Sequence, residues 1–299
     1  MNIGIIGQGF VGSALREGLK DYYDVFGYDL DQSKNFNLEN VSQKKRLEYT
    51  VNNSDIIFVC LPTPMRKDGS CDTRILANSI ENIAKIVKDS AKLPRHAKIL
   101  NRQHLKKTIV IKSTVPPGTT NAFANKYTEI NICFSPEFLT EANSFNDFKN
   151  QNRILIGGDG AKIVKQMFRK PFPNTPIVVT KPETAEMVKY FTNCFLATKV
   201  TFANQMYEIC QAAEIDYDKV CEYALYDNRI GKSHLAVPGP DGDFGFGGHC
   251  FPKDLAAMVV FGEKLHSEIG LLKKIEALND YYRSDKDWEK MKGRAVSDD

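Results

Sequence analysis

The sequence predicts an α/β chain: a doubly wound parallel sheet followed by an all-α domain. Three observations carry this expectation. The turn Gly7-Gln8-Gly9-Phe10-Val11-Gly12 directly follows the apolar run IGII. Short runs rich in Ile and Val then alternate with helical stretches as far as Lys181. After Pro182 the chain holds neither Gly nor Pro through about Ala213, which marks a change of architecture.

Taken in order, the expected strands are Asn2–Ile6, Asp24–Tyr28, Ile56–Leu61, Thr108–Lys112, Asn131–Phe134, Ile154–Ile156 and Ile177–Val179. They are nearly all apolar rather than alternating, the pattern of strands covered on both faces. Helical stretches between them make parallel crossovers. Ser90 to Lys107 is basic, lacks clean periodicity and reads as a solvated loop with a helical turn. Ala185, Val188, Phe191, Phe195 and Leu196 recur at helical spacing. One helix from Pro182 would run roughly 45 Å at about 1.5 Å per residue. Helices are expected again near Asp218–Tyr226, Asp254–His266 and Gly270–Tyr282, with a glycine-rich loop from Val237 to His249. The domains are therefore placed at 1–181 and 182–283, with a charged tail at 284–299 that is expected to fray.

Composition narrows the function. Forty Lys+Arg against thirty-seven Asp+Glu give +3, too balanced to argue for nucleic acid or an anionic membrane. Seven cysteines without a C-x-x-C suggest neither a zinc ribbon nor a disulfide framework, and no metal site is expected. The N-terminus lacks a basic n-region and a small-residue cleavage site, and the longest apolar stretch is too short for a bilayer. A cytoplasmic protein in a reducing compartment is the expectation.

The glycine turn between a strand and a helix is the dinucleotide-binding pattern of a Rossmann domain. Gly7 permits the tight turn, Gly9 lets a pyrophosphate approach, and Gly12 allows close helix–strand packing. The helix start, with Phe10 and Val11, offers N–H groups to phosphates. Asp29 closes the next strand, where an acid accepts ribose hydroxyls and disfavours the extra phosphate of NADP. NAD is the expected cofactor. Thr114 ends the Thr108 strand, where ligands of such sheets collect.

Cys250 precedes Phe251-Pro252-Lys253-Asp254, so it falls near a helix N-cap, with Asp254 one turn on. A thiol beside a carboxylate suits an acyl-enzyme mechanism, a buried structural cysteine being the alternative. Lys189 and Asn193 share the same spacing and offer a cationic and an amide donor to an oxyanion. Ser135-Pro136-Glu137 reads as helix cap, first turn and acid, with Glu141 one turn later. Each pair also fits a solvated helix face. His249 receives no role.

At this point the chain resembles the nucleotide-sugar dehydrogenases, which oxidise UDP-glucose, GDP-mannose and relatives to uronic acids with NAD. The resemblance rests on GQGFVG, VCLPTP with DGSCDT, KSTVPPGTT, SPEFLTEA, ETAEMVKYFTNCFLATKVTFAN, DNRIG and GFGGHCFPKD, in that order. It implies Cys250 as nucleophile, Asp254 as its partner in handling water, and Lys189 and Asn193 at the oxyanion. It places Glu137 and Thr114 on a proton path and Glu141 beside the nicotinamide. Gly7, Gly9, Phe10, Val11, Gly12, Asp29, Thr63 and Thr114 would line the cofactor. Glu137, Phe138, Leu139, Lys189, Asn193, Phe244 and Gly247 would face the substrate. Arg229 would reach the neighbouring subunit's sugar in a homodimer built on the long helix. The GFGGHCFPKD loop is most similar to UDP-sugar members, although VPGPDG before it is a longer variant. A further Rossmann-like, UDP-binding domain of the family is not expected among these residues. Two other readings stand beside this one: a β-hydroxyacid-type dehydrogenase transferring one hydride without a cysteine, and a non-catalytic NAD-binding module.

Overall fold

The computed structural model describes residues 1–92 and 106–298. Most of the basic segment expected as a loop before Thr108 lies outside the described residues. Two compact units emerge. The first comprises Met1–Thr63 and Thr73–Lys189, the second Pro64–Asp72 and Tyr190–Asp299.

The first unit runs β1 (Asn2–Ile6), α1 (Phe10–Leu19), β2 (Asp24–Tyr28), α2 (Arg46–Asn53), β3 (Ile56–Val59), α3 (Arg74–Ser90) and β4 (Thr108–Ile111). It continues with α4 (Thr119–Lys126), β5 (Asn131–Phe134), α5 (Ser144–Lys149), β6 (Ile154–Gly158), α6 (Ala161–Arg169) and β7 (Ile177–Thr180). The sheet order is β2-β1-β3-β4-β5-β6-β7. Period-2 geometry splits each strand between two cores. Ile56 and Phe58 pack with α1, α5 and α6, where Phe58 meets the Phe168 ring edge-on at 5.8 Å. Ile57 and Val59 pack with Leu76, Ile80 and Ile83 of α3 on the other face. Each fully buried side chain of this size contributes about 1.5–3 kcal/mol relative to exposure.

One detail corrects the wholly parallel reading: β5 and β6 pair antiparallel, Cys133 opposite Gly158 and Phe134 opposite Gly157. A strand buried on both faces is apolar whichever way it runs, so composition carries no direction. The connection after β5 returns to the sheet at the same end, and β6 therefore runs back, with β7 parallel to it. The carboxyl ends of β1 to β5 all open toward one edge, where the glycine turn, Asp29, Thr63, Thr114 and Glu137 follow them.

Helix α7 (Pro182–Ala212) opens in the first unit and continues in the second, which adds α8 (Tyr217–Ala224), α9 (Phe251–Lys264) and α10 (Gly270–Tyr282). The inward stripe of α7 is unusually polar: Glu186, Lys189, Asn193, Thr201 and Asn204 are buried alongside Ala185, Tyr190, Cys194 and Ala197. Phe191 and Phe195, which set its periodicity in the sequence, are instead 71% and 56% exposed. The tail expected to fray is packed. Trp288 and Ala295 are buried, and Met65 exchanges backbone hydrogen bonds with Ala295 and Ser297 at 2.8 Å each. Two apolar anchors and a strand-like contact outweigh its charge. Among the described residues no helix is long and apolar enough to cross a membrane.

Candidate active site

In the first unit the turn after β1 is built for close approach. Gly7 has φ 88°, and a Cβ there would meet the Cys60 carbonyl. A Cβ on Gly12 would collide with the Gly7 carbonyl oxygen, whereas one on Gly9 would meet nothing within 4 Å. α1 starts at Phe10 with Gly9 as N-cap, which leaves the approach to Phe10 and Val11 clear of any capping side chain. Asp29 reaches back from β2, its carboxylate accepting the Gln8 N–H at 2.6 Å and the Asp31 N–H at 2.9 Å. An open glycine at a helix start with a carboxylate beside it fits a dinucleotide. Thr63 and Thr114 are buried, and the Thr63 hydroxyl donates to the Thr114 carbonyl at 2.7 Å, tying the loops after β3 and β4 together.

After β5 the chain departs from the expected helix cap. Residues 135–140 form neither helix nor strand, and Glu141 falls in a turn on the surface, so Glu137 and Glu141 do not share a helix face. Side-chain bonds account for this. The Glu137 carboxylate accepts the Leu139 N–H at 2.7 Å, and the Lys112 ammonium donates to the Pro136 carbonyl at 2.8 Å. The other Glu137 oxygen lies 2.9 Å from Lys189 Nζ. Burial alone raises the Glu137 carboxyl, but Lys189, the Leu139 N–H and Lys112 more than offset it and hold it below the ordinary 4.5. The Phe138 ring lies under Arg153 at 4.0 Å and near Lys189 at 5.7 Å, and Leu139 packs on the core.

Lys112 is a residue the sequence reading passed over. It is buried, and burial brings its pKa down to about 8, although the Cys60 thiol and Glu137 pull it upward. In the sequence it was only the last residue of a strand.

In the second unit Cys250 is the N-cap of α9, partly exposed, with Pro252 in the first turn. Asp254 is almost fully buried, and its two oxygens accept from Asn193 Nδ2 and Lys253 Nζ, each at 2.5 Å. Lys253 is the second residue passed over, because the one-turn spacing from Cys250 selects Asp254. Burial alone would lower its ammonium pKa. Asp254, Cys71 and Cys250 overcome that and hold it above the ordinary range, so a cation stays among these groups. The loop before Cys250 takes left-handed turns at Gly245 and Gly248. Gly247 lies between them, and Phe244 is half exposed with its ring 5.7 Å from that of Tyr207. Arg229 stands apart on an exposed loop, folded onto the Asp227 carboxylate.

The structure thus groups Glu137, Phe138 and Lys189, with Lys112, in the first unit. It groups Cys250, Asn193 and Asp254, with Lys253, in the second. Among the described residues no set of three or more His, Cys, Asp or Glu side chains is arranged to hold a metal.

Comparison with known proteins adds an independent line. The UDP-glucose/GDP-mannose dehydrogenase family matches through its NAD binding domain over residues 33–170 and its central domain over residues 183–281. The putative UDP-glucose 6-dehydrogenase YtcA of Bacillus subtilis (strain 168) is 30% identical, the alignment covering 94% of this chain and 68% of that one. The UDP-glucose 6-dehydrogenase YwqF of the same organism is 30% identical over 93% of this chain and 66% of its own length. A UDP-glucose dehydrogenase from Pyrobaculum islandicum superposes with a TM-score of 0.77 at 27% identity, over 94% of this chain and 68% of that one. The chain spans about two thirds of each of these relatives.

Proposed function

The chain belongs to the UDP-glucose/GDP-mannose dehydrogenase family of NAD-dependent oxidoreductases, and from that premise we propose that it oxidises the C6 alcohol of a nucleotide sugar to the uronic acid. UDP-glucose is the substrate proposed, giving UDP-glucuronate, because the relatives matched here carry that activity in their names. The observation that carries the reading is Cys250, partly exposed as the N-cap of α9, with the buried Asp254 carboxylate and its Lys253 partner in the first turn that follows.

NAD supplies the hydride acceptor, one molecule for each of two oxidations. In the first, the alcohol loses a proton and a hydride and becomes an aldehyde. The Cys250 thiolate adds to that carbon, so a C–S bond forms and the carbonyl oxygen becomes an alkoxide. Lys189 and Asn193, one turn apart on α7, are the proposed donors to this oxygen. The thiohemiacetal then loses a proton and a second hydride and becomes a thioester. Water adds, the C–S bond breaks, and Cys250 leaves as thiolate with the acid as product. Covalent retention keeps the aldehyde from escaping while the cofactor is exchanged. Asp254 is proposed to manage the water, Glu137 and Thr114 the proton path, and Glu141 the nicotinamide edge. Phe138, Leu139, Phe244 and Gly247 are proposed to face the sugar nucleotide.

A homodimer belongs to the same proposal. Phe191, Phe195, Phe202 and Ile209 form an exposed stripe along α7, with the Phe191 and Phe195 rings parallel at 6.4 Å. A second copy would cover it and bring Arg229 toward the partner's sugar. Seven cysteines, with no disulfide among the described residues, suit a reducing, cytoplasmic setting.

Counting NADH released per uronic acid across UDP- and GDP-sugars tests the function. Two NADH with UDP-glucose are expected. One NADH per alcohol would instead assign a single-hydride dehydrogenase, and bound NAD without turnover of any sugar would leave a binding module.

A further inference from the structure

The glycine loop that leads into Cys250 is gripped from the far end of the chain. Asn279, buried near the end of α10, accepts the Phe246 N–H at 2.7 Å and donates to the Phe246 carbonyl at 2.9 Å. Two residues beyond, the Gly248 N–H donates to the Asp287 carboxylate, at 3.0 Å and 3.2 Å to its two oxygens. Arg283 is 3% exposed and joins the loop's two sides. Its guanidinium meets Asp241 at 2.8 Å, Asp287 at 3.3 Å and Asp243 at 3.7 Å. A Cβ on Gly247 would strike both Asp287 and Arg283, so only glycine leaves room for the grip. Arg283 and Asp287 lie past residue 281, where the match to the family's central domain ends.

We propose that Asn279, Arg283 and Asp287 are positioning residues that fix Gly245–Gly248 and thereby aim Cys250. The proposal rests on the reading of Cys250 as the nucleophile. A left-handed glycine pair has little conformational preference of its own, and a nucleophile on such a loop needs its backbone held by neighbours whose own places are fixed. Asn279 fixes both backbone groups of Phe246 by a two-point bond, and Asp287 fixes the Gly248 N–H by a charge-assisted one. Arg283 in turn holds Asp287 and the Asp241–Asp243 side of the loop.

The test compares the full chain with Asp287→Ala, Asp287→Asn and Arg283→Met. Lys290→Ala is the control, since Lys290 is an exposed neighbour whose ion pair is with Asp285 and not with the loop. Three readouts are taken: amide hydrogen exchange of the 245–248 peptide, alkylation of Cys250 by iodoacetamide, and kcat and KM with UDP-glucose and NAD. For Asp287→Ala, loop exchange should rise about tenfold or more. Its alkylation rate should change at least about threefold, and kcat should fall about tenfold with NAD binding unchanged. Asp287→Asn, which keeps an acceptor, should fall between this variant and the parent, and Lys290→Ala should match the parent. If Arg283→Met fails to fold, the partly exposed Asp287 carries the test. A folded Asp287→Ala with parental loop exchange and parental Cys250 alkylation would overturn the proposal. If no nucleotide sugar is turned over by the parent, the functional reading falls, while exchange and alkylation still decide whether the loop is gripped.

Discussion

Glu137 and Lys189 form an ion pair at 2.9 Å with side chains only 8% and 6% exposed, joining the loop after β5 to the first turns of α7. Removing one partner from such a pair leaves an uncompensated buried charge. Glu137→Gln should therefore cost about 3–5 kcal/mol in urea unfolding. Glu137→Gln with Lys189→Met should recover most of that stability without recovering turnover. The folded-state carboxyl lies below 4.5, so its contribution is complete above that pH and is lost as pH falls through the lowered value. A single variant costing less than about 1 kcal/mol would contradict this account, since that is the range of an exposed pair.

Lys112 makes the opposite prediction at alkaline pH. Its folded-state pKa is about 8 against 10.5 ordinarily, so between those values the unfolded chain binds more protons. Stability from this group should rise with pH across that window, by up to about 3 kcal/mol. Denaturation of parent and Lys112→Met at pH 7 to 10.5 isolates the slope. Parallel pH dependences for the two proteins would show that Lys112 does not titrate there.

Much of this was readable in the sequence, and the exceptions have a common cause. Strand positions follow from runs of Ile and Val that only a sheet covered on both faces can bury. The direction of β6 does not, because such a run reads alike either way. Lysines at a strand end or in a helix first turn are usually solvated, so Lys112 and Lys253 carry no signal until burial shows that each is held. The Ser135-Pro136-Glu137 segment has good capping chemistry, yet Lys112 and the Leu139 N–H engage its polar groups outside any helix. In the tail, Trp288 and Ala295 are two residues among many charges, and pattern counts the charges.

Asp29 accepts the Gln8 N–H within the glycine turn, which holds its carboxylate beside that turn, and its proposed role is to accept the ribose hydroxyls. NAD should be strongly preferred over NADP. Asp29→Ala should weaken NAD about tenfold or more and narrow that preference, as loss of a charged hydrogen-bond acceptor does. Titration calorimetry with both cofactors is the check, and comparable affinities for the two in the parent would refute it.

The stripe on α7 gives a prediction about assembly. Phe191→Glu with Phe195→Glu places two charges on an exposed apolar face and should leave the chain folded but monomeric in sedimentation velocity. Arg229→Ala should keep the dimer and lose turnover. A parent that is monomeric and fully active would remove the dimer and the proposed role of Arg229 together.

The most direct measurement is intact-protein mass spectrometry during a single turnover with NAD and UDP-glucose, on a preparation first shown to release NADH. Asp254→Asn should slow thioester breakdown and accumulate an adduct heavier by the sugar nucleotide, mapped to Cys250. Cys250→Ala should bind NAD normally, form no adduct and lose net turnover by several orders of magnitude, as removal of a covalent nucleophile does. Two NADH per uronic acid from Cys250→Ala would contradict the account and reduce Cys250 to a packing residue.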